Sequence, residues 1–334
     1  MRRHIRCALL PLTLLAALPA AHAAEPASQA ACPPPPDTSP ASYRAEAARP
    51  HPDQGVLWEL RKNGQVGYLM GSIHIGQLPW VFPGPRTAAA LREASAVALE
   101  LNPLDPATQQ TLAQAMRHDS ASQRRIMRRH PELVARMDAL AKTQCIDRQQ
   151  WDALGTTARL MVLSLNDMAS QGYQAAYGID VHLALAAQAT HKPIEAIETA
   201  QEQLTAMGLS DNAQTPATTP DDIRKALDDI DSHRNRDTTT ALVRYWQQGD
   251  LASLNQWMHD CQCLDDLGMK SALLDARNQR MAKRIPDLLA AHPHLFIAVG
   301  MLHMVGEHSL LQLLQAQGYA VRQLTGLGAT ANHR

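Results

Sequence analysis

Aromatic side chains are scarce in this chain: two Phe, six Tyr and five Trp, 4% of 334 residues. Large rings cannot fill a core at that density, so the core must be assembled mainly from Ala, Leu, Val, Ile and Met, a palette that favours helices. A charge excess of either sign is also missing, because 31 Lys and Arg face 32 Asp and Glu. With no basic stripe, nucleic acid is excluded as a partner. No segment recurs at a fixed period, which argues against a solenoid. Three sharp catalytic templates are absent as well: the Gly-x-Ser-x-Gly elbow, the His-Glu-x-x-His helix and the Walker phosphate loop.

Long hydrophobic runs are lacking too. The longest candidate, Ala8 to Ala20, is too short to cross a bilayer as a helix and is interrupted by Pro11 and Pro19. Arg2, Arg3 and Arg6 precede it and Ala21-His22-Ala23 follows, so residues 1–23 read as a cleavable secretory signal. The expected destination is periplasmic or secreted, with no stable membrane insertion after cleavage. Removal of the signal would take the formal charge from -1 to about -4. Cys32 lies well beyond the apolar run and lacks a branched apolar residue before it, which argues against lipidation.

Four cysteines then remain, Cys32, Cys145, Cys261 and Cys263. In an oxidising compartment they are disulfide candidates, and the lone Cys261-x-Cys263 lacks the second pair of a structural zinc site. The expectation is a bridge from Cys145 to Cys261 or Cys263. Residues 24–54, with Pro33 to Pro36 consecutive, read as a disordered Pro/Ala-rich tether.

The folded region is expected over residues 55–325, a single domain followed by a disordered tail at 326–334. Val56 to Leu60 and Val66 to Gly71 are β-like runs flanking Asn63-Gly64, a strong hairpin signal. Further strand candidates are Ala96 to Leu101, Ile194 to Thr199, Leu295 to Gly300 and Ala320 to Leu324. A helical insertion is expected at about 106–172, helices follow from Gly178 to Ala189 and from Gln201 to about Gly268, and a long amphipathic helix runs from about Ser271 to Ala291. The fold class is therefore α/β: a central mixed β-sheet opened by an antiparallel hairpin, with a large helical insertion.

One short construction occurs twice. Gly71-Ser72-Ile73-His74 follows one strand candidate, and Gly300-Met301-Leu302-His303 follows another. In each, a β run stops at a glycine and a histidine comes three residues later, where ligands gather in open α/β sheets. Glu100 and Glu198 end two other apolar strands, positions where a carboxylate is costly unless paired, metal-bound or at the solvent mouth. In the helix from Ser271 the stripe Leu274, Met281, Ile285, Leu288 is interrupted by Arg277 and Asn278. A buried guanidinium needs carboxylates or bound anions, so Arg277 is expected to hold Glu100 or Glu198 or to steady an oxyanion. His182, His191 and His259 have no comparable setting and are expected in solvent, Glu195 on a solvated face, and Glu307-His308 on a helix surface.

These residues together resemble the TraB/GumN family, whose eukaryotic relatives include the Tiki membrane-anchored metalloproteases. The matching pieces are Leu57-Trp58, Tyr68 to Gly76, Glu100-Leu101, Tyr177-Gly178-Ile179-Asp180, Lys192-Pro193 to Thr199, Gln203-Leu204, Arg277-Asn278 with Met281, and Gly300 to His303. The resemblance implies an erythromycin-esterase and ChaN-like fold, with His74, Glu100 and His303 at metal-binding or catalytic positions and Arg277 and Asn278 as supporting groups. It also implies a divalent metal, with manganese or cobalt favoured and zinc compatible.

The expected function is a periplasmic or secreted metal-dependent hydrolase of the metallopeptidase kind, acting on a peptide or small-molecule substrate. In it His74, His303 and a carboxylate hold the ion, the other of Glu100 and Glu198 takes a proton, and Arg277 or Asn278 stabilises the oxyanion. The alternative is a non-catalytic haem-, metal- or small-ligand-binding protein on the same fold. A third reading is metal-free esterase chemistry through a His–Glu pair.

Overall fold

A computed structural model describes residues 32–210, 219–261 and 271–329. Six strands form one sheet: β1 (Leu57–Lys62), β2 (Gln65–Ser72), β3 (Ala96–Leu99), β4 (Ile194–Ala196), β5 (Leu295–Gly300) and β6 (Ala320–Gln323), in the spatial order β4-β3-β5-β2-β1-β6. The class is mixed α/β, with the antiparallel hairpin anticipated from Asn63-Gly64. Both residues have positive φ, 49° and 80°, and they close a two-residue turn between Lys62 and its partner Gln65.

The hairpin and β6 are antiparallel, whereas β4, β3, β5 and β2 all run the same way. At the centre of the parallel set lies β5, whose Leu295-Phe296-Ile297-Ala298-Val299 run is fully buried. A strand covered on both faces needs this continuous apolar run rather than an alternation. The flanking strands are short, three residues in β4 and four in β6, which limits the unpaired edge each exposes.

Helices supply the rest. Pro106–Met116, Ala121–Arg129, Pro131–Thr143, Arg148–Asp152 and Thr156–Ala169 follow one another over the span read as an insertion. Part of this layer has its own core, in which Leu133, Met137, Trp151 and Leu163 pack against Ile223, Leu227 and Ile230 of the later Pro220–Asp231 helix. The two helical stretches thus build one unit, a relation that hydrophobic spacing within either stretch does not reveal. Among the described residues no helix is long and apolar enough to cross a membrane. Residues 1–31, which include the expected signal, lie outside the described residues, as do 330–334 of the expected tail.

Two expectations are corrected. The tether does not extend unstructured to residue 54: Pro40–Ala47 is a helix, with Pro40 at its first position and Ser39 accepting from the Ser42 N–H at 3.3 Å. This strap packs on the domain, Tyr43 standing edge-on to Phe82, while the Pro34 and Asp37 carbonyls accept from Gln174 Nε2 (2.8 Å) and Tyr177 Oη (3.1 Å). Composition weighs Pro as a helix breaker, but at a helix start its missing N–H and fixed φ cost nothing. The second correction is the disulfide, which joins Cys145 to Cys32 with a Cα–Cα distance of 5.5 Å. The strap brings Cys32 across the end of the Pro131–Thr143 helix, a tertiary placement that spacing could not supply. Cys263 and the side chain of Cys261 lie outside the described residues.

Candidate functional site

The four parallel strands end side by side, and each is followed within three residues by an ionisable side chain. Across the sheet the order is Glu198 after β4, Glu100 after β3, His303 after β5 and His74 after β2. Register aligns them: Ser72 is opposite Gly300, Ala298 opposite Leu99, and the Glu198 N–H donates to the Glu100 carbonyl at 2.9 Å. Strand ends in a parallel sheet leave carbonyls and turns pointing one way, so side chains from distant sequence positions collect along one rim.

The Ala276–Ala291 helix closes over this rim. Arg277 and Asn278 are both buried, at 3% and 1% exposure, where the apolar stripe was interrupted. Arg277 Nη2 lies 2.6 Å from Glu100 Oε2 and 2.5 Å from Glu198 Oε2, and its Nε donates to Glu198 at 2.9 Å. Its remaining nitrogen reaches the Leu273 carbonyl at 3.4 Å. Each nitrogen of this guanidinium bonds to protein, which makes it a clamp on the two carboxylates. Burial opposes its charge, but Glu100 and Glu198 together hold it above the ordinary guanidinium range.

The carboxylates diverge in character. Burial pushes the Glu100 carboxyl up, yet Arg277, His303, His74 and the Gly300 N–H outweigh it and hold Glu100 well below the usual range. For Glu198 burial prevails over Arg277, helped by the charge of Glu100, and the carboxyl is raised. Glu100 Oε2 accepts from Arg277 and from Gln203 Nε2 at 2.8 Å, while Oε1 accepts from the Gly300 N–H at 2.7 Å and faces His303 Nε2 at 3.6 Å.

Each imidazole is held from behind. His303 Nδ1 is 2.6 Å from Asn278 Oδ1, and Asn278 Nδ2 donates to the His308 carbonyl at 2.8 Å. Because that carbonyl can only accept, Asn278 must turn its own oxygen to His303, and Nδ1 carries the ring proton; the tautomer is assigned by elimination. Burial and Arg277 push His303 down to about 3, against the pull of Glu100, so its ring is neutral near pH 7. His74 Nδ1 stands 2.7 Å from Asp180 Oδ2, at ion-pair distance without hydrogen-bond alignment. Burial lowers its proton affinity, and Asp180 more than restores it, leaving His74 raised.

The free sides of these groups converge on Gly300. A Cβ placed there would meet Glu100 Oε1 at 3.2 Å, His74 Nε2 at 3.5 Å and His303 Cδ2 at 3.7 Å. Among the described residues no group of three or more His, Cys, Asp or Glu side chains is placed to hold a metal ion. What is present is a cradle of two imidazole edges and one carboxylate oxygen around a point that a methyl group would fill. The donor types present, two imidazoles and a carboxylate, are of the kind a divalent cation takes. His303, Glu100, Glu198 and Arg277 are almost fully buried, and the His74 side chain, 17% exposed, marks the open edge.

Every residue expected at the site, His74, Glu100, Glu198, Arg277, Asn278 and His303, is brought to this rim. Sequence reasoning from residue chemistry did not single out Asp180, Ser72 or Gln203, although all three lie in the stretches that carried the family resemblance. Of the remaining histidines, His191 and His259 are exposed as expected, but His182 is half-buried, its Nε2 3.0 Å from the Ala176 carbonyl and its ring against Tyr43. Glu195 pairs with His292 at 3.0 Å, and Glu307-His308 lie in an exposed turn rather than a helix.

Comparison with known proteins matches residues 56–323 to the TraB/PrgY/gumN family. Metalloprotease TIKI1 of Danio rerio is 24% identical over 79% of this chain and 62% of its own length. The Metalloprotease TIKI homolog of Nematostella vectensis is 28% identical over 48% of this chain and 38% of its own. A protein of Escherichia coli K12, YbaP, is 28% identical over 74% of this chain and 87% of its own length. The chain therefore spans less than two thirds of the TIKI proteins it matches. No solved structure matches.

Proposed function

The chain belongs to the TraB/PrgY/gumN family, and from that footing we propose that it is a divalent-metal-dependent hydrolase of peptide bonds, working in the periplasm or outside the cell. One observation carries the reading: two imidazoles, one with Nδ1 bonded to Asn278 and the other with Nδ1 at ion-pair distance from Asp180, turn their other edges toward Glu100 Oε1 around Gly300. The names of the TIKI relatives support metal-dependent proteolysis, and residues 1–23 support export.

His74 Nε2, His303 Nε2 and Glu100 Oε1 would hold the ion, manganese or cobalt before zinc. A bound divalent ion would polarise a carbonyl and bring a water's pKa toward neutrality. The protein's own part is positional. Arg277 and Gln203 occupy Glu100 Oε2 and leave Oε1 for the cradle, and Asn278 fixes the His303 ring. Glu198 is the carboxylate left to accept a proton, its affinity raised by burial and by the neighbouring negative charge. Burial of all but the His74 edge keeps bulk water from competing, so electrostatic contacts inside act at low dielectric.

Elemental analysis of the purified protein, beside His74→Ala and His303→Ala, tests this directly. The wild type is expected to retain a stoichiometric divalent metal that both variants lose, and to hydrolyse peptides after stripping and reloading with manganese. Hydrolysis that survives exhaustive chelation, or a haem absorbance band without hydrolysis, would overturn it.

A further inference from the structure

The stretch Tyr177-Gly178-Ile179-Asp180 enters the Ile179–Ala189 helix, and its features converge on His74. Gly178 lies against the His74 carbonyl, where a Cβ would come within 2.7 Å of the oxygen; only glycine permits that approach. The Ile179 N–H donates to the Ile73 carbonyl at 2.9 Å. These contacts pin the first helical turn to the segment leaving β2. Asp180 is then delivered with Oδ2 2.7 Å from His74 Nδ1, while Oδ1 accepts from Ser72 Oγ at 2.8 Å. Ser72 is itself the last residue of β2, in register with Gly300.

The line Ser72, Asp180, His74 thus begins and ends on one strand terminus, and Asp180 is fixed from two sides. It mirrors the line from the His308 carbonyl through Asn278 to His303, with one difference. Asn278 is a neutral amide, whereas Asp180 is a carboxylate in the first turn of a helix, where backbone dipoles favour negative charge. A carboxylate accepts only, so it selects the Nδ1–H form of a neutral ring and makes the unprotonated opposite nitrogen more basic, a better electron-pair ligand.

We propose that Asp180 is a positioning residue: it holds His74 as the Nδ1–H tautomer with Nε2 turned into the Glu100 cradle, and Ser72 and Gly178 set Asp180 for that task. Its consequence for metal affinity rests on the metal reading of the site; its geometry does not.

The test uses the intact chain with its cystine, in two measurements. Long-range 1H–15N correlation on chelator-stripped protein, at a pH where the ring is neutral, reports the His74 tautomer, assigned by comparison with His74→Gln. Calorimetric titration with manganese reports affinity. Wild type and Asp180→Asn are expected to show protonated Nδ1, and Asp180→Ala to shift toward protonated Nε2 with manganese affinity reduced roughly 10- to 100-fold. Ser72→Ala is expected to give a smaller change in the same direction. Loss of thermal stability in Asp180→Ala with tautomer and affinity unchanged would make Asp180 merely structural and overturn the proposal. Protonated Nε2 in the wild type overturns it without any variant. A wild type that binds no manganese but shows the Asp180-dependent tautomer supports the positioning role while removing the metal reading.

Discussion

Glu198 donates its backbone N–H to the Glu100 carbonyl at 2.9 Å, so two neighbouring parallel strands end level and their side chains meet one guanidinium. Arg277 is what allows two carboxylates to be buried together. Replacing it leaves both without their cation, the case in which breaking a buried ion pair costs most. Arg277→Met is expected to destabilise the protein by about 3–5 kcal/mol in urea unfolding. A loss below about 1 kcal/mol would show that the clamp contributes little.

Gly300 offers a cleaner separation of site from fold. Its backbone, φ -52° and ψ 137°, suits any L-residue, so alanine is not strained there. Its methyl group would occupy the point around which Glu100 and the two imidazoles gather. Gly300→Ala is expected to abolish manganese binding and peptide hydrolysis while changing stability by less than about 1 kcal/mol. Undiminished manganese affinity in a folded Gly300→Ala protein would refute the cradle.

Glu202 carries a testable pH signature outside the cluster. Hydrogen bonds from Arg284, partly offset by burial and reinforced by Thr199, hold its carboxyl at about 2, below its ordinary value of 4.5. Because the folded value is the depressed one, the stabilisation is present above about pH 4.5 and is lost as pH falls toward 2. The pair is partly exposed, so the effect is modest, about 1 kcal/mol or less. Glu202→Gln is expected to lower stability at pH 7 and to approach the wild type at pH 3 in parallel denaturant titrations. An equal deficit at both would locate its contribution in the Thr199 cap rather than in its charge.

The cystine closes a loop with a sequence separation of 113. Cys32→Ser is expected to destabilise the oxidised protein by about 2–4 kcal/mol, read from thermal or denaturant midpoints with the reduced wild type as control. Peptide mapping should recover Cys32 and Cys145 in one cross-linked fragment. Recovery of Cys145 with Cys261 or Cys263 instead would refute the assignment.

Much of this arrangement was legible in the chain because it depends on local pattern. Asn63-Gly64 announced the hairpin, and the unbroken apolar run of β5 announced a strand covered on both faces. The four acidic and imidazole groups stood just past strand ends, and Arg277 with Asn278 stood where an apolar stripe should have continued. Ser72, Asp180 and Gln203 were different. Gln203 touches Glu100 only because the Ala200–Ala206 helix brings it to the end of β3, and Asp180 matters only through the approach of Gly178 to His74. The same holds for Cys32, whose partner is set by where the strap lies. Such relations are tertiary, and no periodicity encodes them.

The position of β5 has a consequence for assembly. It is among the last strands to be made, yet it pairs on one side with β2 and on the other with β3. Until that segment arrives, β2 and β3, the strands that lead to His74 and Glu100, have no common strand neighbour and are not paired in one sheet. Insertion of this keystone unites the sheet and brings Gly300 and His303 between them in the same event. A chain without β5 accordingly lacks the rim as well, because completing the sheet and gathering Glu100, His74 and His303 along it depend on the same strand.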